Sequence, residues 1–356
     1  MIKFFPYLLR RYLETQFGVK KPLRCSIALT YKCNSKCKTC DIWKIYRKCP
    51  DKQTKELTKE EWFNFFGELK NDLLWIDITG GEPFLNNDLN KIFKYIIRKT
   101  KIYSVNITSN CLLGNKIVEK TKEMLKEMPL SKKLLMGVSI DGYGEAYKKV
   151  RGVQGFDIAI QTYLKLKKLE KQNKNFKLHL SYVISKYNNG NLEKFYSLMK
   201  TKYGLNIEEF SVVINSGGYF HQLSRRNLNI NKCFGDLKFY LSELKKTKPK
   251  DFVNKLRRNY YIDYANFVHE KKSINKCKAM KTSFFVDPYG NIYPCMMWLV
   301  PIGNIKNQSF YKIWDSKKAE MIRKAIKEKK CPGCIASCEL QHNWLTNPLN
   351  VIKAIK

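Results

Sequence analysis

The stretch CSIALTYKCNSKCKTC, Cys25 to Cys40, sets the reading of the whole chain. Its first part, CSIALTY, is apolar and β-branched, lacks proline, and runs into the turn formers Lys32, Asn34 and Ser35. That pattern predicts a strand with three thiols, Cys33, Cys37 and Cys40, on the loop beyond its end. Three converging thiolates select a soft centre: zinc, copper(I) or an iron–sulfur cluster. A zinc site built from this loop alone lacks its fourth ligand. A 4Fe–4S cluster held by three cysteines instead keeps one iron open for a substrate or cofactor.

The totals frame that reading. At 356 residues the length fits one large α/β domain or two smaller ones, and a 44% hydrophobic content is ample for a core. The formal charge of +36 argues for nucleic acid or an anionic membrane. Yet 56 of the 67 basic residues are lysines spread along the chain, whereas specific phosphate and base recognition favours arginine forks. No specific nucleic-acid partner is expected; a zinc- or RNA-binding regulatory protein is the alternative from another class. The 12 cysteines cluster at metal-ligand spacings, and neither a signal peptide nor an apolar run of ~18 residues is visible. The expected location is a reducing cytoplasm with metal-bound thiols. Residues 1–20, MIKFFPYLLRRYLETQFGVK, pattern as a basic amphipathic helix. Such a helix either caps the domain or lies on an anionic membrane as a peripheral contact.

From residue 21 to about 225 strands and helices alternate. LLWIDITGGEP (from Leu73), IYSVNITSN (from Ile102), LLMGVSIDG (from Leu134), FKLHLSYVIS (from Phe176) and IEEFSVVIN (from Ile207) read as strands. Between them lie Lys-rich segments of helical period, such as DLNKIFKYIIRKTK and NLEKFYSLMKTKYG. About six β/α units predict a parallel sheet, open or closed into a barrel, with chemistry at the C-terminal strand ends. Residues 226–276 read as a helical connector, 277–345 as a second cysteine-bearing region, and 346–356 as a tail.

Gly80-Gly81-Glu82-Pro83 follows the second strand. Two glycines let a ligand's polar end approach the backbone closely. With CxxxCxxC one β/α unit earlier, the sequence resembles the radical S-adenosylmethionine (SAM) superfamily. That resemblance implies a partial (β/α)6 TIM-like barrel and a 4Fe–4S cluster on Cys33, Cys37 and Cys40 whose open iron chelates the methionine end of SAM. It implies that Gly80, Gly81 and Glu82 hold the SAM amino group. One electron then cleaves SAM to a 5′-deoxyadenosyl radical, which abstracts a substrate hydrogen. The matching stretches TSN and VSIDG imply ribose- or substrate-side roles for Ser109, Asn110, Ser139 and Asp141, and KKVRGVQGFD one for Arg151 at the methionine carboxylate. In one place the chain departs from the family: the residue before the third cysteine is usually aromatic, and here it is Thr39, with Trp43 as the candidate replacement.

The C-terminal cysteines, taken alone, permit a structural zinc knuckle. Cys277 precedes Gly290 and Cys295, and Cys331, Cys334 and Cys338 follow, with FFVDPYGNIYPC reading as a hairpin. Behind a radical domain this region resembles the SPASM/twitch extension. Five cysteines, where a full SPASM pattern has seven, imply one auxiliary 4Fe–4S cluster on Cys277, Cys295, Cys331 and Cys334, with Cys338 as substitute or spare. Cys25, Cys49, Cys111 and Cys233 lack a partner at metal spacing, and the four histidines form no ligand pair. The resemblance implies an oxidoreductase-like enzyme fed by a donor such as ferredoxin or flavodoxin. It would oxidise or cross-link a peptide or protein; the alternative is a dehydrogenase or carbon-transferring enzyme of small-molecule, sugar, lipid or cofactor biosynthesis.

Overall fold

The computed structural model describes residues 10, 13–14, 21–214, 230–249, 252–270, 277–331 and 337–355. Most of the expected N-terminal helix lies outside them. The first strand, Arg24–Thr30 (β1), is buried at every position. Five strands follow, each parallel to the one before: Trp75–Gly80 (β2), Ser104–Ser109 (β3), Lys133–Ser139 (β4), Phe176–Ile184 (β5) and Phe210–Ile214 (β6). Ile207–Glu209, expected within the last strand, forms a 3-10 turn instead. There Asn206 and Glu209 cap each other's backbone N–H, which outweighs the strand preference of the apolar neighbours.

The crossover helices are Lys59–Glu68 (α1), Leu89–Lys99 (α2), Asn115–Glu127 (α3), Gly144–Arg151 (α4), Phe156–Gln172 (α5) and Leu192–Tyr203 (α6). Thr58 and Glu61 close a capping box that starts α1. Ile76, Ile78, Val105 and Ile107 on the outer sheet face share one core with Trp62 and Phe66 of α1 and with Ile92, Phe93 and Ile96 of α2. Each such side chain contributes about 1.5–3 kcal/mol by leaving water. The strands lie in the linear order β6-β5-β4-β3-β2-β1, an open, partial barrel.

Two further helices, Ile230–Lys246 (α7) and Phe252–Glu270 (α8), wall the β6 side. Tyr240 donates to the Phe210 carbonyl at 2.8 Å, Arg257 donates to the carbonyls of Glu208 (2.6 Å) and Phe210, and Tyr261 meets Ser211 at 2.5 Å. The stretch read as a connector is thus part of the barrel wall. Beyond it, Ser283–Val286 (β7) joins β1 in parallel, and Asn291–Tyr293 (β8) and Gly303–Asn304 (β9) extend the sheet antiparallel. The predicted hairpin turn is held by the Asp287 carboxylate, which accepts from the N–H groups of Tyr289 and Asn291 and from the Tyr293 hydroxyl, each at 2.9 Å. Gly290 there has φ +86°, a conformation that favours glycine.

Helices Phe310–Trp314 (α9), Lys317–Lys327 (α10), Ser337–Leu345 (α11) and Pro348–Ile355 (α12) complete the chain. The last replaces the expected tail. Pro348 sits at its first position and the Asn347 side chain accepts from Leu349 N at 3.1 Å, an Asn-Pro helix start visible in the sequence. Both α11 and α12 pack on α8, where the buried Trp344 indole donates to Asp263 at 2.7 Å. Among the described residues no helix is long and apolar enough to cross a membrane. Asp263→Ala should leave that indole N–H unpaired and lower stability by about 1–3 kcal/mol, read from urea midpoints; an unchanged midpoint would contradict this account of the α8–α11 joint.

Candidate active site

The thiol loop leaves β1 at Thr30, whose hydroxyl donates to Glu56 at 2.7 Å and accepts from Lys32 N at 3.0 Å. It then docks on the end of α4: Lys36 N and the Ser35 hydroxyl both donate to the Arg151 carbonyl at 3.0 Å, and Lys38 N donates to Val150. Gly152, at φ +68°, makes this approach possible, since a Cβ there would lie 2.3 Å from the Lys36 carbonyl oxygen. Cys33, Cys37 and Cys40 are half-buried and sense one another's charge. Ser35 N donates toward Cys33 Sγ (3.4 Å) and the Arg151 guanidinium toward Cys37 Sγ (3.8 Å), while Ser35 Oγ, its own hydrogen on the Arg151 carbonyl, lies 3.2 Å from Cys37 Sγ.

Burial pushes the Cys33 thiol up to about 12 and raises Cys40 further. Thiols so placed ionise only when a metal supplies the compensating charge. Among the described residues no three His, Cys, Asp or Glu side chains are arranged for a single metal ion. Three thiols on one loop suit a cluster, in which each thiolate takes a separate iron. Trp43 lies against this loop, its indole donating to the Cys37 carbonyl at 3.2 Å.

The Gly-Gly turn lies directly against the loop. Gly81 N donates to Thr30 O at 2.7 Å and Glu82 N to Lys32 O at 2.8 Å. A Cβ on Gly80 would fall 2.3 Å from Thr30 O, and one on Gly81 2.2 Å from Lys32 O. No other residue fits either position. Glu82 is fully buried, with its carboxylate accepting from Ser109 Oγ (2.9 Å), Phe84 N (3.2 Å) and Asn110 N (2.7 Å). Burial outweighs these donors and pushes its carboxyl up to about 7. Glu82 therefore ties the end of β2 to the end of β3 from within.

The remaining rim residues form a second knot. Asn110 donates to the Asn34 side chain at 2.8 Å and so fixes the thiol loop to β3. Asp141 accepts from Val183 N at 2.8 Å and pairs with Arg151 at 2.8 Å. The buried Arg151 Nε has no partner among the described residues. Ser139 is half-buried at the end of β4, facing the bore. The structure thus gathers Cys33, Cys37, Cys40, Gly80, Gly81, Glu82, Ser109, Asn110, Ser139, Asp141 and Arg151 at the C-terminal strand ends.

Below them runs a bore that sequence reasoning missed. Burial alternates along the strands: Ile76, Ile78, Val105 and Ile107 face outward and are buried, while Asp77, Thr79, Asn106 and Thr108 face inward and remain part-exposed. In the register Thr108↔Gly137↔His179, Gly137 makes room for the His179 ring, which a Cβ there would meet at 2.7 Å. Closed barrels fill this layer with bulky apolar side chains; here the inward residues of β2 and β3 are polar and part-exposed. Burial, together with the nearby Arg257, pushes His179 down to about 3 and keeps it neutral. The signal was the polar alternation in WIDIT, SVNIT and KLHLS, which marks one face of each strand as polar.

At the other end of the strands, Cys277 lies in electrostatic reach of Cys331 and Glu339. Asn343 accepts from Lys278 N at 2.9 Å. Cys295 follows β8 and is half-buried. Cys334 and the side chain of Cys338 lie outside the described residues.

Comparison with known proteins agrees with this geometry. The family model described as the radical SAM superfamily matches residues 27–199, and the SPASM iron–sulfur cluster-binding domain matches 277–339. The subtilosin biosynthesis protein AlbA of Bacillus subtilis is 22% identical over 90% of this chain and 68% of its own length. The AdoMet-dependent heme synthase of Methanosarcina barkeri is 26% identical over 80% of each. Among solved structures, anSMEcpe with bound AdoMet and a peptide superposes with a TM-score of 0.62 at 18% identity, covering 94% of this chain and all of that one. Streptococcus suis SuiB bound to its precursor peptide gives 0.60 at 17% identity, covering 88% and 70%. The first domain implies SAM and a 4Fe–4S cluster, the second auxiliary iron–sulfur clusters. The chain is a radical SAM enzyme that carries a SPASM iron–sulfur domain after its partial barrel.

Proposed function

We propose that the enzyme removes a hydrogen atom from a peptide held in the barrel bore and completes an oxidation or cross-link with one auxiliary 4Fe–4S cluster. The observation that carries this reading is the polar, part-exposed inner face of the barrel beneath the thiol rim. The AlbA and SuiB likenesses, one a bacteriocin biosynthesis protein and the other solved with a precursor peptide, support a peptide. Cys33, Cys37 and Cys40 would hold the radical cluster, and Cys277, Cys295, Cys331 and Cys334 the auxiliary one, with Cys338 in reserve. What these groups supply when bound is one-electron cleavage of SAM and a sink for the substrate's remaining electron.

The chain's own residues do the rest. The backbone at Gly80 and Gly81 receives the SAM amino group, and Glu82 keeps that backbone in place by gripping Ser109 and Asn110. Arg151, steadied by Asp141, offers its unpaired Nε to the methionine carboxylate. Ser139 and Asn110 lie on the ribose side, and Trp43 serves in place of the aromatic that Thr39 lacks. The rim and the walls of β6 and α8 keep water from the radical. A strongly basic surface suits an acidic one-electron donor such as ferredoxin or flavodoxin. A peripheral membrane contact through residues 1–20 would suit a membrane-bound substrate.

A second reading, a tetrapyrrole-modifying enzyme, is favoured by the heme synthase likeness, which covers equal shares of both chains. Deuterium transfer separates the two. With side-chain-deuterated precursor peptides, the first reading expects label in 5′-deoxyadenosine and a mass loss in the peptide. Turnover with an iron porphyrin, and none with any peptide, would overturn it. Gly81→Ala should displace the thiol loop and weaken SAM binding to the reconstituted enzyme at least about tenfold, measured by equilibrium dialysis. Unchanged SAM affinity would remove Gly81 from the cofactor site.

A further inference from the structure

Two charged side chains, Arg24 and Glu339, are buried where the bore meets the C-terminal domain, with the part-exposed Asp77 beside them. Arg24, 3% exposed at the start of β1, donates from Nε to Asp77 at 2.7 Å and from NH1 to Glu339 at 3.1 Å. Asp77 faces the bore, and its other oxygen accepts from Asn106 Nδ2 at 3.0 Å. Asn106 Oδ1 has no partner among the described residues. Glu339, 2% exposed on α11, accepts from Ser283 at the start of β7 at 3.3 Å. One turn further along α11, the Asn343 side chain accepts from the backbone N–H of Lys278, next to Cys277.

The arrangement is costly for a mere latch. Each ion taken from water forfeits several kcal/mol, and apolar side chains of similar volume would join sheet and helix as well. Two carboxylates share one guanidinium, so the trio carries excess negative charge. One end of it faces the bore and the other lies beside a thiol. Hydrogen bonds run without a break from Asn106 through Asp77 and Arg24 to Glu339, whose charge reaches Cys277.

We propose that Asp77, Arg24 and Glu339 are positioning residues that couple occupancy of the bore floor to the reduction potential of the auxiliary cluster. The inference rests on the reading of Cys277 as a ligand of that cluster. A carboxylate beside a cluster favours its oxidised form and lowers its potential. A substrate N–H or O–H donor reaching Asp77 and Asn106 draws on Asp77's charge, leaves Arg24 more fully to Glu339, and raises the potential. The cluster then accepts an electron most readily when the bore is filled. A donor-bearing group, such as a peptide amide, is the chemistry this floor recognises.

The test is an anaerobic redox titration of the intact two-cluster protein followed by electron paramagnetic resonance. The signal that SAM perturbs is assigned to the radical cluster, and the other to the auxiliary one. Glu339→Gln, of the same shape, should shift the auxiliary potential to more positive values at unchanged iron content. Asp77→Asn, farther from Cys277, should shift it in the same direction by less. If both variants hold full iron and keep the wild-type potential, or if Asp77→Asn alone moves it, the coupling is overturned. Wild-type protein with a single, SAM-perturbed centre would instead remove the auxiliary cluster itself, a different failure that the iron count reports separately.

Discussion

The site depends on one close approach, that of the Gly81 backbone to the Lys32 carbonyl. The end of β2 can lie against the root of the thiol loop only because neither glycine carries a Cβ, which would fall 2.2–2.3 Å from a carbonyl oxygen. Glu82 then fixes the turn to β3 from inside, and Asn110 returns from β3 to Asn34 on the loop. Arg151 and Gly152 brace the loop from the far side through the end of α4. Three strand ends, one loop and one helix terminus are thereby locked around the three thiols before any cofactor arrives. Such preorganisation lets the chain spend no ordering cost at the moment of binding.

The bore follows from a second constraint, side-chain size. Threonine, glycine and asparagine occupy inward positions that a packed barrel would give to valine or isoleucine, and the His179 ring takes the space that a Cβ on Gly137 would need. The core is displaced outward, between the sheet and its helices. The C-terminal domain continues the same sheet through β7, so the regions that would hold the two clusters share one rigid element. The buried Arg24 sits at that junction.

Much of this was legible in the sequence. Six strands, their parallel order, the hairpin at Asp287–Gly290 and the placing of Cys33, Cys37, Cys40 and the Gly-Gly turn at strand ends all follow from local patterns. What was not legible is long-range. Glu82 read as a ligand-facing carboxylate, but its partners lie on the next strand, and only the folded register brings Ser109 and Asn110 to it. Asp77 carried no motif, and His179 was one of four histidines without a ligand pair, yet the sheet places both on its inner face. Helix α8 carried no motif because its contribution is a wall, made by Arg257 and Tyr261 against the backbone and side chains of β6. The Asn347-Pro348 helix start was readable and passed over, since short terminal segments carry little periodic signal.

The most direct measurement is iron and sulfide per chain after anaerobic reconstitution, for the wild type and for the variant with Cys33, Cys37 and Cys40 all changed to alanine, with 5′-deoxyadenosine scored alongside. Two cubane clusters predict about eight irons in the wild type and about four in the variant, with nucleoside formation lost. About four irons in the wild type, all lost in the variant, would contradict the auxiliary cluster while leaving the radical core. Iron and nucleoside formation unchanged in the variant would contradict the account at its root.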